Sequence, residues 1–283
     1  MEFIEFIHSN HFHKHHHKYY TPDETLNPFI DFFWETNFDD LWSLYPEGFT
    51  DTLFPNIGYT YFINLANPCN IIYKNQSFRI SKEAFLPRSH KITCHHCKGN
   101  KVFGIKFLAS PILLEKKINF LEYQNFIYPL SYLIDQNVLA YIRQAQSFKE
   151  RIEIASDYFN LIIKRNKLQK NPVFISTEII KYCKDQKQFN LPLQFFTDYF
   201  HLSNKTIHRN FASTTGLTYK QAINLLRIRS VLESQSEKGI IKWEDFGYYD
   251  NSHFLKELKK FAGPHFLAFK KLTNYTPKRS RLS

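Results

Sequence analysis

Cysteine is scarce: only Cys69, Cys94, Cys97 and Cys183 occur in 283 residues. That is too few for a disulfide framework, so a reducing compartment is the expectation. Acid is in deficit, with 26 Asp and Glu against 37 Lys and Arg and a net charge of +11. No apolar run approaches the ~20 residues needed to span a bilayer; even YTYFINLA (59–66) carries polar groups. The amino-terminal MEFIEFIHSN has acids at positions 2 and 5 and lacks the long apolar core of a signal peptide. A cytoplasmic protein with no membrane partner is therefore expected. Also missing are a P-loop, a dinucleotide-binding glycine pattern and a nucleophile–base pair. No enzyme class and no cofactor are indicated.

What is present begins with apolar mass. Hydrophobic residues make up 43% and aromatic residues 17%, including 29 Phe and 17 Tyr. A disordered chain has few of either, so the chain folds, and its length suits two domains. Charge divides them. From position 172 onward there are 18 Lys and Arg against 9 Asp and Glu, whereas the preceding 171 residues carry 19 against 17. A basic excess confined to one half is the electrostatic footprint of a polyanion-binding surface, and nucleic acid is the commonest polyanion.

Texture changes along the chain. Residues 1–20 are a His-rich tail, with six histidines from His8 to His17, expected to be disordered. Residues 21–135 form a β-rich unit, marked by short Ile-, Phe-, Tyr- and Val-rich runs between turn formers from Phe49 to Phe107. Helical spacing then appears, with Ile152, Ala155, Phe159 and Ile162 or Ile163 on one face; residues 136–171 read as a helical linker ending in the polar stretch 164–172. Residues 172–275 read as helices throughout, and 276–283 as a basic tail.

Within the basic half, LPLQFFTDYFHLSNKTIHRNFASTTG (191–216) carries the most information. Pro192 suits the first turn of a helix, and Phe196 and Phe200 give that helix an apolar side. The chain breaks at His201-Leu202. Ser203 is a good N-cap for a second helix, which Ile207 and Phe211 turn inward at i and i+4. Asn204, Lys205, His208 and Arg209 then point outward. Two short helices, a tight turn and a cationic outer face on the second helix describe a helix-turn-helix. In that motif the second helix enters the major groove and its early residues meet base edges.

The stretch resembles the first helix-turn-helix and central helix of AraC/XylS-type transcriptional regulators. Ser203, Ile207, Arg209, Phe211, Thr215, Gly216, Arg227, Val231 and Leu232 occupy the family's fixed places. GYYDNSHFLKELKKFAG (247–263) resembles the corresponding part of a second unit through Gly247, Tyr248, Asp250, Ser252, His253 and Phe254. The resemblance implies an α+β multidomain fold, with an N-terminal β-rich (cupin-like) domain followed by an all-α double helix-turn-helix domain. It also implies double-stranded DNA as partner, read in two successive major grooves about 34 Å apart. Carried over by position, the DNA-binding candidates are Ser203, Asn204, Lys205, Thr206, His208 and Arg209 in the first unit. In the second they are Asn251, Ser252, His253 and Lys256. Arg209 suits guanine and Asn251 suits adenine. A homodimer, RNA polymerase contact by an activator and an unidentified small-molecule effector are further implied partners.

Some residues depart from the family pattern. His201 stands where Gly is usual, and His tolerates the left-handed conformation such a turn needs. Thr197 replaces a small Ala, so its hydroxyl needs a partner such as the carbonyl four residues back. Trp243 lies only four residues before Gly247, so the first helix of the second unit is short by about one turn. That unit is expected to be loosely held and to contribute mainly phosphate contacts.

The aromatic-rich β half shows a weaker likeness to the sensing or dimerising domain that precedes some such DNA-binding domains. CHHC (94–97) places four metal-ligand types in a row, but adjacent strand residues point to opposite faces, so one ion reaches only alternate ones. A second pair at zinc-site spacing is absent, and no metal is expected. Two alternatives remain open: a cupin-like metal-dependent enzyme, for which His90, His95 and His96 lie in one short segment, and a non-DNA-binding interaction protein with a degraded second unit.

Overall fold

The computed structural model describes residues 17–238 and 243–262. The tail and carboxy-terminal segments outside these limits, including 263–283, lie beyond the described residues.

The β half is a sandwich of two antiparallel sheets. One runs β1-β2-β9-β4-β7 and the other β3-β8-β5-β6. The strands are β1 (His17–Tyr20), β2 (Ile30–Thr36), β3 (Phe49–Leu53), β4 (Tyr59–Asn64), β5 (Cys69–Tyr73), β6 (Gln76–Ile80), β7 (Glu83–Pro87), β8 (Ile92–His96) and β9 (Val102–Phe107), with a one-turn helix α1 (Leu41–Leu44) between β2 and β3. Of the segment expected to be a disordered tail, His17–Tyr20 instead forms a strand that pairs along β2 from Thr36 to Phe33; positions 1–16 lie outside the described residues. Tyr19 and Tyr20 rest on Phe32 and Phe33 there.

Strands β4 and β9 are buried along their whole length. A strand covered on both faces reads as a continuous apolar run rather than an alternating one. Phe62 and Val102 face the second sheet with Leu53, Ile71, Leu86 and Ile92. Tyr61, Ile63, Phe103 and Ile105 face the other way. There they meet α3 (Phe148–Arg165), which follows α2 (Gln136–Gln144). Phe159, Ile162 and Ile163 of α3 belong to that core. Arg151 adds a buried ion pair, its Nη1 2.9 Å from Glu35 Oε2 on β2. The stretch expected to act as a linker is therefore packed into the β half, because its apolar stripe needs cover and the five-stranded sheet offers an uncovered face.

The helical half comprises α4 (Pro172–Asp185), α5 (Leu193–Phe200), α6 (Asn204–Thr215), α7 (Tyr219–Lys238) and α8 (Asn251–Ala262). A 3₁₀ turn, Trp243–Phe246, precedes α8. The expected order of a β-rich half followed by an all-α half is what the structure shows; α5 and α6 form a helix-turn-helix, and before α8 the 3₁₀ turn stands where a first helix was expected. The helical core gathers Ile179, Phe196, Ile207, Phe211, Leu225, Val231, Phe254 and Leu258, and it takes in Phe54 and Ile57 from the loop after β3. No helix among the described residues is long and apolar enough to cross a membrane.

Candidate nucleic-acid interface

Helix α5 ends in a left-handed residue, His201, at φ 53° and ψ 48°. The Leu202 N–H then donates back to Thr197 O at 3.0 Å, which satisfies a carbonyl the helix end would leave orphaned. Thr197 is buried, and its hydroxyl donates to Gln194 O, three residues back rather than the four expected, at 2.9 Å. Pro192 sits at the N-cap position of α5, just before the first helical residue.

Ser203 caps α6, its Oγ accepting from the Thr206 N–H at 3.1 Å. Ile207 and Phe211 are fully buried. Ser203, Asn204, Lys205, His208 and Arg209 are exposed and Thr206 is half-buried. The exposed face carries no acidic residue, and no salt bridge is formed by Lys205 or Arg209 among the described residues. A helix N-terminus also carries a partial positive charge. The leading end of α6 is thus a cationic surface with free N–H and guanidinium donors, suited to phosphate oxygens and guanine edges.

The far end of α6 faces inward. Asn210, Thr214 and Thr215 are buried, and Gly216 closes the helix at φ 71°. A Cβ on Gly216 would strike Gln124 and the Tyr59 hydroxyl of the β half. Helix α6 therefore presents one end outward and seats the other on the β domain. Two further ties join the halves. Arg229 Nη1 on α7 donates to Pro55 O at 3.3 Å, and Lys184 on α4 lies 3.8 Å from Asp31, a carboxylate that raises the lysine's pKa.

In the second unit, Asp250 caps α8 by accepting the His253 N–H at 2.7 Å. Ser252, His253 and Lys256 are exposed. Asn251 is half-buried, and its Oδ1 is shielded without a partner, so the structure does not set this residue out with the other three. Tyr249 was not foreseen: it is 87% exposed in the turn leading into α8.

The unit is held more firmly than its short first helix suggests. Phe254 and Leu258 are fully buried, and Trp243 stacks on Phe254 with ring centroids 5.3 Å apart. Arg227 of the central helix does the rest. Its Nη2 meets Glu257 Oε2 at 2.6 Å, its Nη1 donates to Asn190 Oδ1 at 2.9 Å, and its guanidinium lies 4.3 Å from the Tyr248 ring centre. Burial raises the Tyr248 phenol's pKa, so the hydroxyl keeps its proton and donates to Glu257 at 3.0 Å. Arg227 thereby bolts the second unit to the loop between α4 and α5.

Two of the cavities among the described residues lie in the β half. An open groove of about 590 Å³ runs beside β6 and β7, lined in part by Arg79, Lys82, Tyr128 and Arg143. A small internal cavity contains Asp51, Cys94 and His96, whose ligand atoms lie within 4.8 Å of one another.

No family model matches the chain, and no curated protein matches it in sequence. Among solved structures, ToxT from Vibrio cholerae O395 is similar at 14% identity over 93% of this chain and all of that one, with a TM-score of 0.44. A second crystal form of Vibrio cholerae ToxT gives 14% identity, 89% and 98% coverage and a TM-score of 0.43.

Proposed function

We propose that the chain is a sequence-specific DNA-binding transcriptional regulator of the AraC/XylS type, with α6 and α8 as its recognition helices and the β half as a sensing or dimerising module. One observation carries the reading. On α6, Ile207 and Phe211 are buried while Lys205, His208 and Arg209 stand exposed on the opposite face behind a capped, electropositive helix start. Lys205 and Arg209 form no salt bridge among the described residues, His208 makes an edge contact with the Tyr219 ring, and double-stranded DNA would satisfy all three. Lys205 and Lys256 supply phosphate contacts, whereas Arg209 reads guanine. The reading is non-enzymatic, and the groove beside β6 and β7 is where an effector would first be sought.

The test is duplex affinity of the full chain as a function of salt. A protein neutralising 6–10 phosphates loses about 10³–10⁵ in affinity between ~50 and ~200 mM salt. The expected result is a linear fall of log K with log salt, together with an Arg209→Ala variant that loses ~1–3 kcal/mol of discrimination between preferred and scrambled duplexes. Binding that ignores salt, or an Arg209→Ala variant that discriminates as well as the parent, contradicts the proposal.

A further inference from the structure

The CHHC stretch behaves on β8 as strand geometry demands. Thr93 and His95 point outward, where His95 Nδ1 meets Thr50 Oγ1 at 2.7 Å. Cys94 and His96 point inward, and Cys97 lies exposed beyond the strand. What the row of ligand types lacks is supplied from across the sheet: Asp51 on β3 pairs in register with Cys94. All three side chains are buried, with Asp51 3%, Cys94 2% and His96 4% exposed. Phe38 and Phe49 close over the imidazole at ring distances of 4.9 and 5.1 Å.

Hydrogen bonding fixes what His96 offers. Asn100 Nδ2 donates to Asn64 Oδ1 and to Asn67 O at 3.1 and 2.6 Å, so Asn100 Oδ1 is the atom left facing His96 Nδ1 at 2.7 Å. Nδ1 must carry a proton to make that bond. A neutral His96 then turns the lone pair of Nε2 toward Asp51 Oδ2, 3.0 Å away, and two acceptors at that distance need a cation between them. A second proton on the ring would answer for Oδ2 alone. Asp51 Oδ1 is also buried with no N–H or O–H donor on it, and the Cys94 thiol beside it is the group placed to donate to the carboxylate. A metal ion answers for all three atoms at once.

We propose that Asp51, Cys94 and His96 form a divalent-metal site inside the sandwich, with zinc the best-matched class of ion. An oxygen, a sulfur and a nitrogen donor suit zinc's preferences, and three protein ligands leave a fourth position. Asn100 is the partner that orients the ligating imidazole. The cavity, about 20 Å³, has the size of a single water or ion. On binding, the Sγ–metal bond replaces the Sγ–H bond and the thiol proton leaves to solvent. The carboxylate and the thiolate then balance the dication, and the buried Arg88 guanidinium that lines the same cavity adds one positive charge beside them. His17 lines the same cavity, and Cys69 stands beside His96 in the register of β5 and β8, so either is placed to approach the fourth position.

The test is titration of the chelator-stripped full chain with Co²⁺, read by thiolate-to-cobalt charge-transfer absorption, followed by displacement with Zn²⁺. That absorption needs a sulfur ligand, so loose binding by the histidines from His8 to His16 does not produce it. The proposal predicts saturation at one cobalt per chain, bleaching by zinc, and an unchanged band in Cys97→Ser. Cys94→Ser abolishes the band and Asp51→Asn weakens cobalt binding at least tenfold. Far-ultraviolet circular dichroism of each variant in chelator shows whether it folds. Should Cys94→Ser fail to fold, the near-isosteric Asp51→Asn still decides. No charge-transfer band at a large excess of cobalt, or a band that persists in Cys94→Ser and disappears in Cys97→Ser, overturns it.

Discussion

His201 holds a left-handed backbone at the turn between α5 and α6, and a residue with a Cβ is strained there by ~1–2 kcal/mol. Glycine removes that strain but costs more entropy on folding, ~0.5–1 kcal/mol. His201→Gly is therefore expected to stabilise the protein slightly, by about 0.5–1 kcal/mol, measured as a raised denaturant midpoint at unchanged slope; a lowered midpoint would show the imidazole to be structural. Local chemistry of this kind was legible in the sequence. The Ser203 cap, the inward Ile207 and Phe211 and the tolerant His201 each follow from neighbours within four residues. The Asp51–Cys94–His96 cluster was not. Alternation along β8 separates Cys94 and His96 from His95 and Cys97, but which strand lies opposite is set by pairing between residues 43 apart, and no local pattern specifies it.

Among the elements, α7 holds the second unit in place. The Trp243–Phe246 turn is only four residues long, although Phe246 is buried in the helical core, and sequence spacing alone suggested a loosely held α8. Arg227 changes that outcome through partners on two other elements, Asn190 before α5 and Glu257 on α8. Both charged side chains of the pair are largely buried, and removing one partner of a buried pair costs ~3–5 kcal/mol because the other is left uncompensated. Arg227→Ala is expected to destabilise the helical half at the lower end of that range in thermal or denaturant unfolding. An Arg227→Met, Glu257→Leu double variant should recover most of the loss. Equal destabilisation of the single and double variants would mean that the pair itself is not what holds α8. Helix α3 shows the same limit of local reading. Its stripe of Ala155, Phe159 and Ile162 was visible, whereas its partner, the outer face of the five-stranded sheet, was not.

At the scale of the molecule, the two halves are not beads on a string. Phe54 and Ile57 enter the helical core, Gly216 at the end of α6 sits against Gln124 and Tyr59, and Arg229 reaches Pro55 O. The proposed recognition helix is thus seated directly on the domain proposed to sense or dimerise, and a change in that domain has a short mechanical route to α6. Charge asymmetry and the helix-turn-helix pattern made the division into two halves legible. The seam between them was not legible, because its contacts join positions more than 90 residues apart.

The central claim is that the chain binds DNA sequence-specifically through α6 and α8. Selection of the purified chain on a library of random duplexes at about 150 mM salt, near physiological ionic strength, with sequencing of the bound pool, tests it most directly. The account predicts an enriched motif extending over two successive major grooves, with a guanine required in the half read by α6. A motif confined to one groove would reduce α8 to backbone contact, and a pool without enrichment would contradict sequence-specific binding altogether.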